Sequence, residues 1–307
     1  MYKSFAGELQ EALKKQHYGI FGKHSAVKVC EWTKKSLTEN NVCYKESFYK
    51  IKSHQCMEMT PAAGFCNFRC TYCWRKHELN QGADMEGIKI DEPAGIIDGL
   101  VQERKKLLIG FKGNDKVDQK KLQEAMSPKH AAISLTGEPT LYPKIGEMID
   151  EFHKRKMTTY LVTNCSRPDV LEKIPEPTQL YLSVTSPTEE AFKRINVPLE
   201  RGAWSKVQKT LELVPSFSCP TVMRLTMIAG HNMGLGREFA KVVSRAQPRY
   251  VEVKSFMLIG GARHRNLTLD NMPKHEELRE FSRKLAEETS YSIKDEKADS
   301  RVVLLSK

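Results

Sequence analysis

Long apolar runs are missing from this 307-residue chain: no stretch approaches the ~18 residues needed to span a bilayer. No N-terminal charged-then-apolar segment reads as a signal peptide either, so a soluble, cytoplasmic protein is expected. Linkers, low-complexity tracts and internal repeats are also absent. With 40% hydrophobic residues there is material for one large core, and a single domain over residues 1–307 is the expectation. Cysteine is too sparse for a secreted disulfide scaffold: there are eight, and six form two spaced groups, Cys30, Cys43, Cys56 and Cys66, Cys70, Cys73. That usage favours metal ligands in a reducing compartment. Acidic residues are outnumbered 38 to 49 by basic ones, and the net charge of +11 suits a polyanionic partner such as nucleic acid. Runs such as Arg104-Lys105-Lys106 and Lys154-Arg155-Lys156 fall in helical patterns and read as solvated helix faces.

What is present is organised around Gly64-Phe65-Cys66-Asn67-Phe68-Arg69-Cys70-Thr71-Tyr72-Cys73-Trp74, with cysteines at the spacing C-x3-C-x2-C. Three thiolates this close can wrap one face of an iron–sulfur cubane and leave its fourth iron open to another ligand. The alternative is zinc, because C-x2-C is a common zinc half-site. A structural zinc needs a fourth ligand, however, and none lies nearby in sequence. The spacing, with Tyr72 just before the last cysteine, resembles the signature of the radical S-adenosylmethionine (SAM) superfamily. The resemblance implies that SAM chelates the open iron and is cleaved to a 5'-deoxyadenosyl radical.

Along the chain, residues 4–16 pattern as a polar amphipathic helix, and Ser25 is placed to cap a second helix with Ala26, Val29, Cys30, Thr33 and Leu37 on one stripe. Cys43 follows in a less regular stretch, and Cys56 lies in a strand running into the cysteine loop. The even spacing of Cys30, Cys43 and Cys56 suggests a second metal site, with isolated buried thiols as the alternative. Thereafter strands alternate with helices through residue 290, giving six β/α units. Such a pattern implies parallel strands with right-handed crossovers, a partial (β/α)6 barrel whose active site lies at the strand C-termini. The expected architecture is α/β, with an N-terminal helical extension over 1–53 carrying part of a second cluster site, a barrel over 54–290 and a C-terminal hairpin over 291–307.

At the expected strand ends, Gly137-Glu138-Pro139 offers a close backbone approach and a carboxylate for an ammonium group. In this position it resembles the superfamily loop that binds the SAM amino group. Asn164 and Arg224 occupy places where relatives contact the ribose and the SAM carboxylate, and Tyr72 one that lies against adenine. Ordinary capping, pairing and packing are their alternatives. Gly260-Gly261-Ala262-Arg263-His264-Arg265 follows the last barrel strand, where Arg263 and Arg265 can meet phosphate.

The upstream cysteines together with Cys73-Trp74-Arg75, Ser134–Pro143 and Thr178-Gln179-Leu180-Tyr181 closely resemble the tRNA 4-demethylwyosine synthase family over nearly the whole chain. The resemblance implies two 4Fe-4S clusters, the second on Cys30, Cys43 and Cys56. It implies condensation of pyruvate with N1-methylguanosine beside the anticodon of tRNA-Phe, with Lys45 as the family's Schiff-base lysine. The chain is similar to the short archaeal form without a flavodoxin-like domain, which implies an external electron donor, flavodoxin or ferredoxin. One departure stands out: Ser183-Val184-Thr185-Ser186 replaces an acidic residue common after the fourth barrel strand. Two other readings remain: another radical-SAM RNA modifier, such as a methyltransferase using Cys165 or Cys219 as accessory thiol, and a zinc-dependent RNA-binding module.

Overall fold

The computed structural model describes residues 7–307, so the expected helix start at Ser4 lies outside the described residues. The chain forms two compact units, one of residues up to Cys66 with Leu79–Val162, the other of Asn67–Glu78 with Thr163–Lys307.

The first unit opens with helix α1 (Gly7–Lys15) and an antiparallel hairpin, β1 (Tyr18–Phe21) and β2 (Ser25–Lys28). Helices α2 (Glu31–Thr38) and α3 (Tyr44–Tyr49) lead to β3 (Cys56–Thr60), α4 (Pro93–Ile109), α5 (Gln119–Ala125), β4 (His130–Ile133), α6 (Ile145–Lys154) and β5 (Thr158–Thr163). Strands β3, β4 and β5 are parallel, with Met57 opposite Ala131 and Ala131 opposite Thr159. They are short and buried on both faces, as parallel strands are.

The hairpin corrects the expected all-helical extension. Ser25–Lys28 is a strand because it pairs with β1 on one side and antiparallel with β3 on the other, Ala26 opposite Thr60. Over four residues an apolar stripe does not separate helical from strand periodicity, and sheet pairing decides. Cys30 consequently sits at the N-cap of α2 rather than within a helix.

The second unit contains α7 (Pro168–Leu171), β6 (Gln179–Ser183), α8 (Glu189–Ile195), α9 (Ala203–Leu213), β7 (Thr221–Met227), α10 (Gly236–Ala246), β8 (Tyr250–Ser255), α11 (His275–Glu287), β9 (Ser292–Lys297) and β10 (Val302–Ser306). Strands β6, β7 and β8 are parallel; β10 is antiparallel to β8, and β9 hangs on β10, giving the expected C-terminal hairpin. Helix α10 shows the logic of the repeats: Phe239, Ala240, Val242, Val243 and Ala246 are buried while its charged residues face outward. Among the described residues no helix is long and apolar enough to cross a membrane.

His24, fully buried at the start of β2, holds the segment leading toward the cysteine loop. Its Nδ1 lies 2.6 Å from the Pro61 carbonyl, and its Nε2 accepts from the Asp91 N–H at 3.0 Å, which fixes one neutral tautomer. Burial pushes its pKa below the ordinary 6.5, against the Pro61 bond and the Asp91 charge, which pull upward. Below about 6.5 the unfolded chain therefore binds a proton that the folded one refuses, so this stability is present above that pH and lost as pH falls. Thermal unfolding followed from pH 7.5 to 5.5 should show a declining midpoint, with a shallower decline in His24→Gln; equal slopes would assign the acid sensitivity elsewhere.

Candidate active site

In the first unit, Cys30, Cys43 and Lys45 all lie close enough to Cys56 to act on its charge. The thiols of Cys30 and Cys43 both act electrostatically on Cys56, and the Lys45 ammonium opposes them. Each cysteine is half-buried and has no disulfide partner. Burial, aided by the neighbouring thiols, pushes the Cys56 thiol well above its usual range; burial and the Glu58 carboxylate raise Cys30.

Local chemistry holds the trio open. Cys30 Sγ accepts from the Thr33 N–H at 3.4 Å, acting as the N-cap of α2, and Thr33 Oγ1 donates to the Ser53 carbonyl at 2.9 Å. Ser53, almost fully buried, accepts from the Cys43 N–H at 2.9 Å and donates through its hydroxyl and N–H to Glu46, both at 2.7 Å. The sequence placed Thr33 only on a helical stripe and did not single out Glu46 or Ser53. Their signal was faint, since Ser and Thr in a loop read as ordinary turn formers.

Behind Cys56 lies Arg104 of α4, which the sequence placed on a solvated face. It is 1% exposed. One Nη donates to the Ala125 carbonyl at the end of α5; the other donates to the carbonyls of His54 at 2.8 Å and Cys56 at 3.2 Å. Its Nε has no hydrogen-bond partner among the described residues. The helix amphipathicity explains the correction: Ile97, Leu100, Arg104 and Leu108 share the buried stripe, so spacing along α4 outweighs the local basic run. Even at this depth burial lowers the guanidinium pKa only to about 10, which leaves it charged at neutral pH.

The loop after β4 sits against the segment before Cys66. Glu138 N–H donates to the Phe65 carbonyl at 2.8 Å, and its buried carboxylate accepts from Thr140 N–H at 3.1 Å and Thr140 Oγ1 at 2.6 Å. Gly137 has φ of 75°, and a Cβ there would meet the Ala62 and Phe65 carbonyl oxygens at 2.0 and 2.5 Å. Pro139 opens the short 3-10 turn that follows. Cys66 N–H donates to Gly82 at 3.1 Å.

In the second unit, the stretch Asn67–Glu78 is stapled to the end of α8. Arg69 and Thr71 N–H groups donate to Val197 and Ile195, and the Phe68 ring meets Phe192 edge-on at 5.3 Å. Asn164, just past β5, donates to Asn67 Oδ1 at 2.9 Å, and Asn67 donates to Ser166 at 2.8 Å. Tyr72 accepts from Thr185 Oγ1 at 2.7 Å and packs on the apolar cluster around Ile228 and Phe256. Ser186 donates to Asn196, and Asn196 donates to Cys70 Sγ at 3.8 Å. The two hydroxyls that replace the expected acidic pattern therefore steady Tyr72 and Cys70. Burial, then the Cys73 thiol, raise Cys70 to about 12, while burial raises Cys73 against the nearby cations Arg75 and Arg265.

Arg224 on β7 pairs with Glu252, fully buried directly opposite on β8, at 2.9 Å, and lies over the Tyr181 ring. A lone Glu in the apolar strand Tyr250–Ser255 was the available signal for that pair. Arg265 is turned inward onto Glu78 at 2.7 Å and the carbonyls of Cys73 and Arg75, and it holds the Glu78 carboxyl down to about 2. Arg263 is exposed. Gly260 follows a close approach: a Cβ on it would meet the Trp74 carbonyl at 2.3 Å. Trp74 is 42% exposed, with the Arg75 guanidinium 3.5 Å from its ring centre. Cys165 is fully buried, and Cys219 lies just ahead of β7 at its N-terminal end, so neither is presented as an accessory thiol at a strand C-terminus.

The family model of the radical SAM superfamily matches residues 60–243, and that of wyosine base formation matches 245–307. The S-adenosyl-L-methionine-dependent tRNA 4-demethylwyosine synthase of Pyrococcus horikoshii is 46% identical over 97% of this chain and 88% of its own. The chain belongs to the tRNA 4-demethylwyosine synthase family. The Methanocaldococcus jannaschii synthase is 38% identical, covering 97% of this chain and 95% of its own. A solved structure of TYW1 with a lysine-pyruvate adduct bound superposes with a TM-score of 0.90 at 36% identity, covering 99% and 97% of the two chains. An archaeal TYW1 crystal structure gives 0.81 at 34% identity, covering 98% and 96%. The chain thus has the radical-SAM fold, and it is a SAM-dependent, wyosine-forming tRNA-modifying enzyme. Family membership implies a 4Fe-4S cluster. The donor set fits: half-buried thiols that resist ionisation alone are deprotonated outright when they ligate a metal.

Gly137→Ala should destabilise the protein by at least about 1–3 kcal/mol, since it forces both a left-handed backbone and a clash with two carbonyls. SAM affinity, measured by equilibrium dialysis on the reconstituted variant, should fall with it; unchanged stability would mean the loop relaxes freely.

Proposed function

We propose that the enzyme condenses pyruvate with N1-methylguanosine beside the anticodon of tRNA-Phe, forming 4-demethylwyosine with two 4Fe-4S clusters. Cys66, Cys70 and Cys73 hold the cluster that receives SAM, a role their spacing supports. Cys30, Cys43 and Cys56 hold the second. The carrying observation is that these three thiols share one electrostatic neighbourhood with Lys45. SAM on its cluster supplies the radical that starts the reaction, and electrons come from an external flavodoxin or ferredoxin.

Around SAM, the proposed contacts are Glu138 to the ammonium group, with Gly137 and Pro139 shaping the approach, Asn164 to the ribose, Tyr72 beside adenine and Arg224 toward the carboxylate. The Glu252 partner holds the Arg224 guanidinium in one orientation, which suits a fixed carboxylate receptor. Thr185 donates to Tyr72, so the missing acid leaves the ring positioned by a neutral hydroxyl.

The Lys45 Nζ attacks the pyruvate keto carbon through its lone pair. The new C–N bond gives a carbinolamine, which loses water to the imine. The TYW1 structure that carries a lysine-pyruvate adduct supports this reading, as does the place of Lys45 beside Cys56. Arg263 meets RNA phosphate and exposed Trp74 offers a face to an unpaired base. Arg265 contributes by fixing the Cys73–Arg75 backbone.

Anaerobic reaction with SAM, pyruvate and methylated tRNA-Phe should yield the tricyclic base by nucleoside mass spectrometry. Borohydride with labelled pyruvate should tag the Lys45 peptide. Lys45→Arg should lose adduct and product while keeping both clusters and SAM cleavage; product at a comparable rate would remove Lys45 from the chemistry. Wild-type protein should carry about eight irons, and about four with all six cysteines intact would leave only the SAM cluster. Binding of tRNA should weaken by orders of magnitude from about 50 to 200 mM salt, with Arg263→Ala lowering the slope by about one. A flat salt profile would remove phosphate contacts from the account.

A further inference from the structure

The geometry points to Arg104 as the built-in counter-cation of the second cluster, a charge placed to be neutralised only when Cys30, Cys43 and Cys56 ligate iron. This inference rests on the two-cluster reading above. Arg104 is 1% exposed, and the partners of its guanidinium are neutral carbonyls on Ala125, His54 and Cys56. Among the described residues no carboxylate pairs with it; Glu124, the nearby acid on α5, is engaged by His54 at 2.8 Å. A buried guanidinium is ordinarily matched by an anion. The groups that take opposite sign near Arg104 once ionised are the thiols of Cys56 and Cys30. Lys45 and Glu58 also face the trio, with opposite signs, so their charges cancel in part.

A cubane held by three thiolates is anionic, and one-electron reduction adds further negative charge. A fixed cation behind Cys56 therefore favours both assembly of the cluster and its reduced state. The carbonyl fork orients the guanidinium, and its bond to the Cys56 carbonyl ties the charge to a ligand backbone. Arg104 is a positioning residue in this scheme, since it touches a ligand's main chain rather than substrate.

The test compares wild type, Arg104→Met and Arg104→Lys, each as apoprotein and after anaerobic reconstitution, by iron content, thermal unfolding and redox titration followed by electron paramagnetic resonance. In Arg104→Met the second cluster should either be lost, leaving about four irons, or be retained with a reduced-to-oxidised ratio at least tenfold lower at fixed potential. Tenfold corresponds to about 59 mV for a one-electron couple. Arg104→Met also unties the carbonyls of Ala125, His54 and Cys56, so its apo unfolding against wild-type apoprotein measures that clamp apart from the cluster's charge. Arg104→Lys keeps the charge and should retain the cluster near its wild-type potential. A Met variant with about eight irons and an unchanged potential would overturn the proposal. If the Met variant does not fold, Arg104→Lys decides: a retained cluster supports the charge, and its loss assigns Arg104 to a carbonyl clamp instead. Wild-type protein with about four irons would refute the second cluster itself, whatever Arg104 does.

Discussion

Burying sulfur that must become anionic is the constraint on which this protein turns. Six half-buried cysteines lie in two sets, and burial is the leading cause holding the thiols of Cys30, Cys56, Cys70 and Cys73 in their neutral form. An ion moved into such surroundings loses several kcal/mol, whereas each hydrogen bond to a charged group returns about 1.5–3 kcal/mol. Hydrogen bonds alone therefore offset only part of the cost, and a multivalent metal centre supplies the rest. Thr33 donates to Cys30 in one set and Asn196 to Cys70 in the other, which leaves most of the cost to whatever cation the thiolates bind.

Those donors belong to short polar residues at element ends. Thr33 donates to Cys30 through its main-chain N–H in the first turn of α2, held there by its hydroxyl on the Ser53 carbonyl, and the Asn196 side chain reaches Cys70 from the end of α8. Ser53 and Ser186 in turn fix the groups that position them. Such residues suit the task because a hydroxyl or amide on a short side chain has few rotamers to lose. The departure at Thr185-Ser186 belongs to the same scheme. Two neutral hydroxyls replace an acid where another negative charge would sit beside thiolate ligands, and they still hold Tyr72 and Asn196 in place.

Within each unit the parallel strands run the same way, so the loops that follow them leave from the same end of that unit's strands. Gly137 and Glu138 follow β4, Asn164 follows β5, Thr185 follows β6, and the Gly260 loop follows β8. Arg224 and Glu252 differ, since both lie within strands in register and form an ion pair closed off from water. Such a pair contributes little net stability after desolvation but fixes the orientation of the guanidinium.

Much of this was legible in the residues alone. The two cysteine spacings, the Gly-Glu-Pro loop, the three parallel strands of each unit and the C-terminal hairpin follow from local patterns: ligand spacing, a backbone conformation that favours glycine, and apolar runs bounded by turns. Which polar residues turn inward was decided only by the tertiary structure. Arg104 lies in a run of cations and is nonetheless buried, because its place on the apolar stripe of α4 outweighs its neighbours in sequence. Ser25–Lys28 forms a strand because β1 and β3 flank it. Arg265 turns onto Glu78 and two carbonyls although its sequence context matches that of exposed Arg263. In each case local propensities were nearly balanced, and contacts between residues distant along the chain supplied the difference.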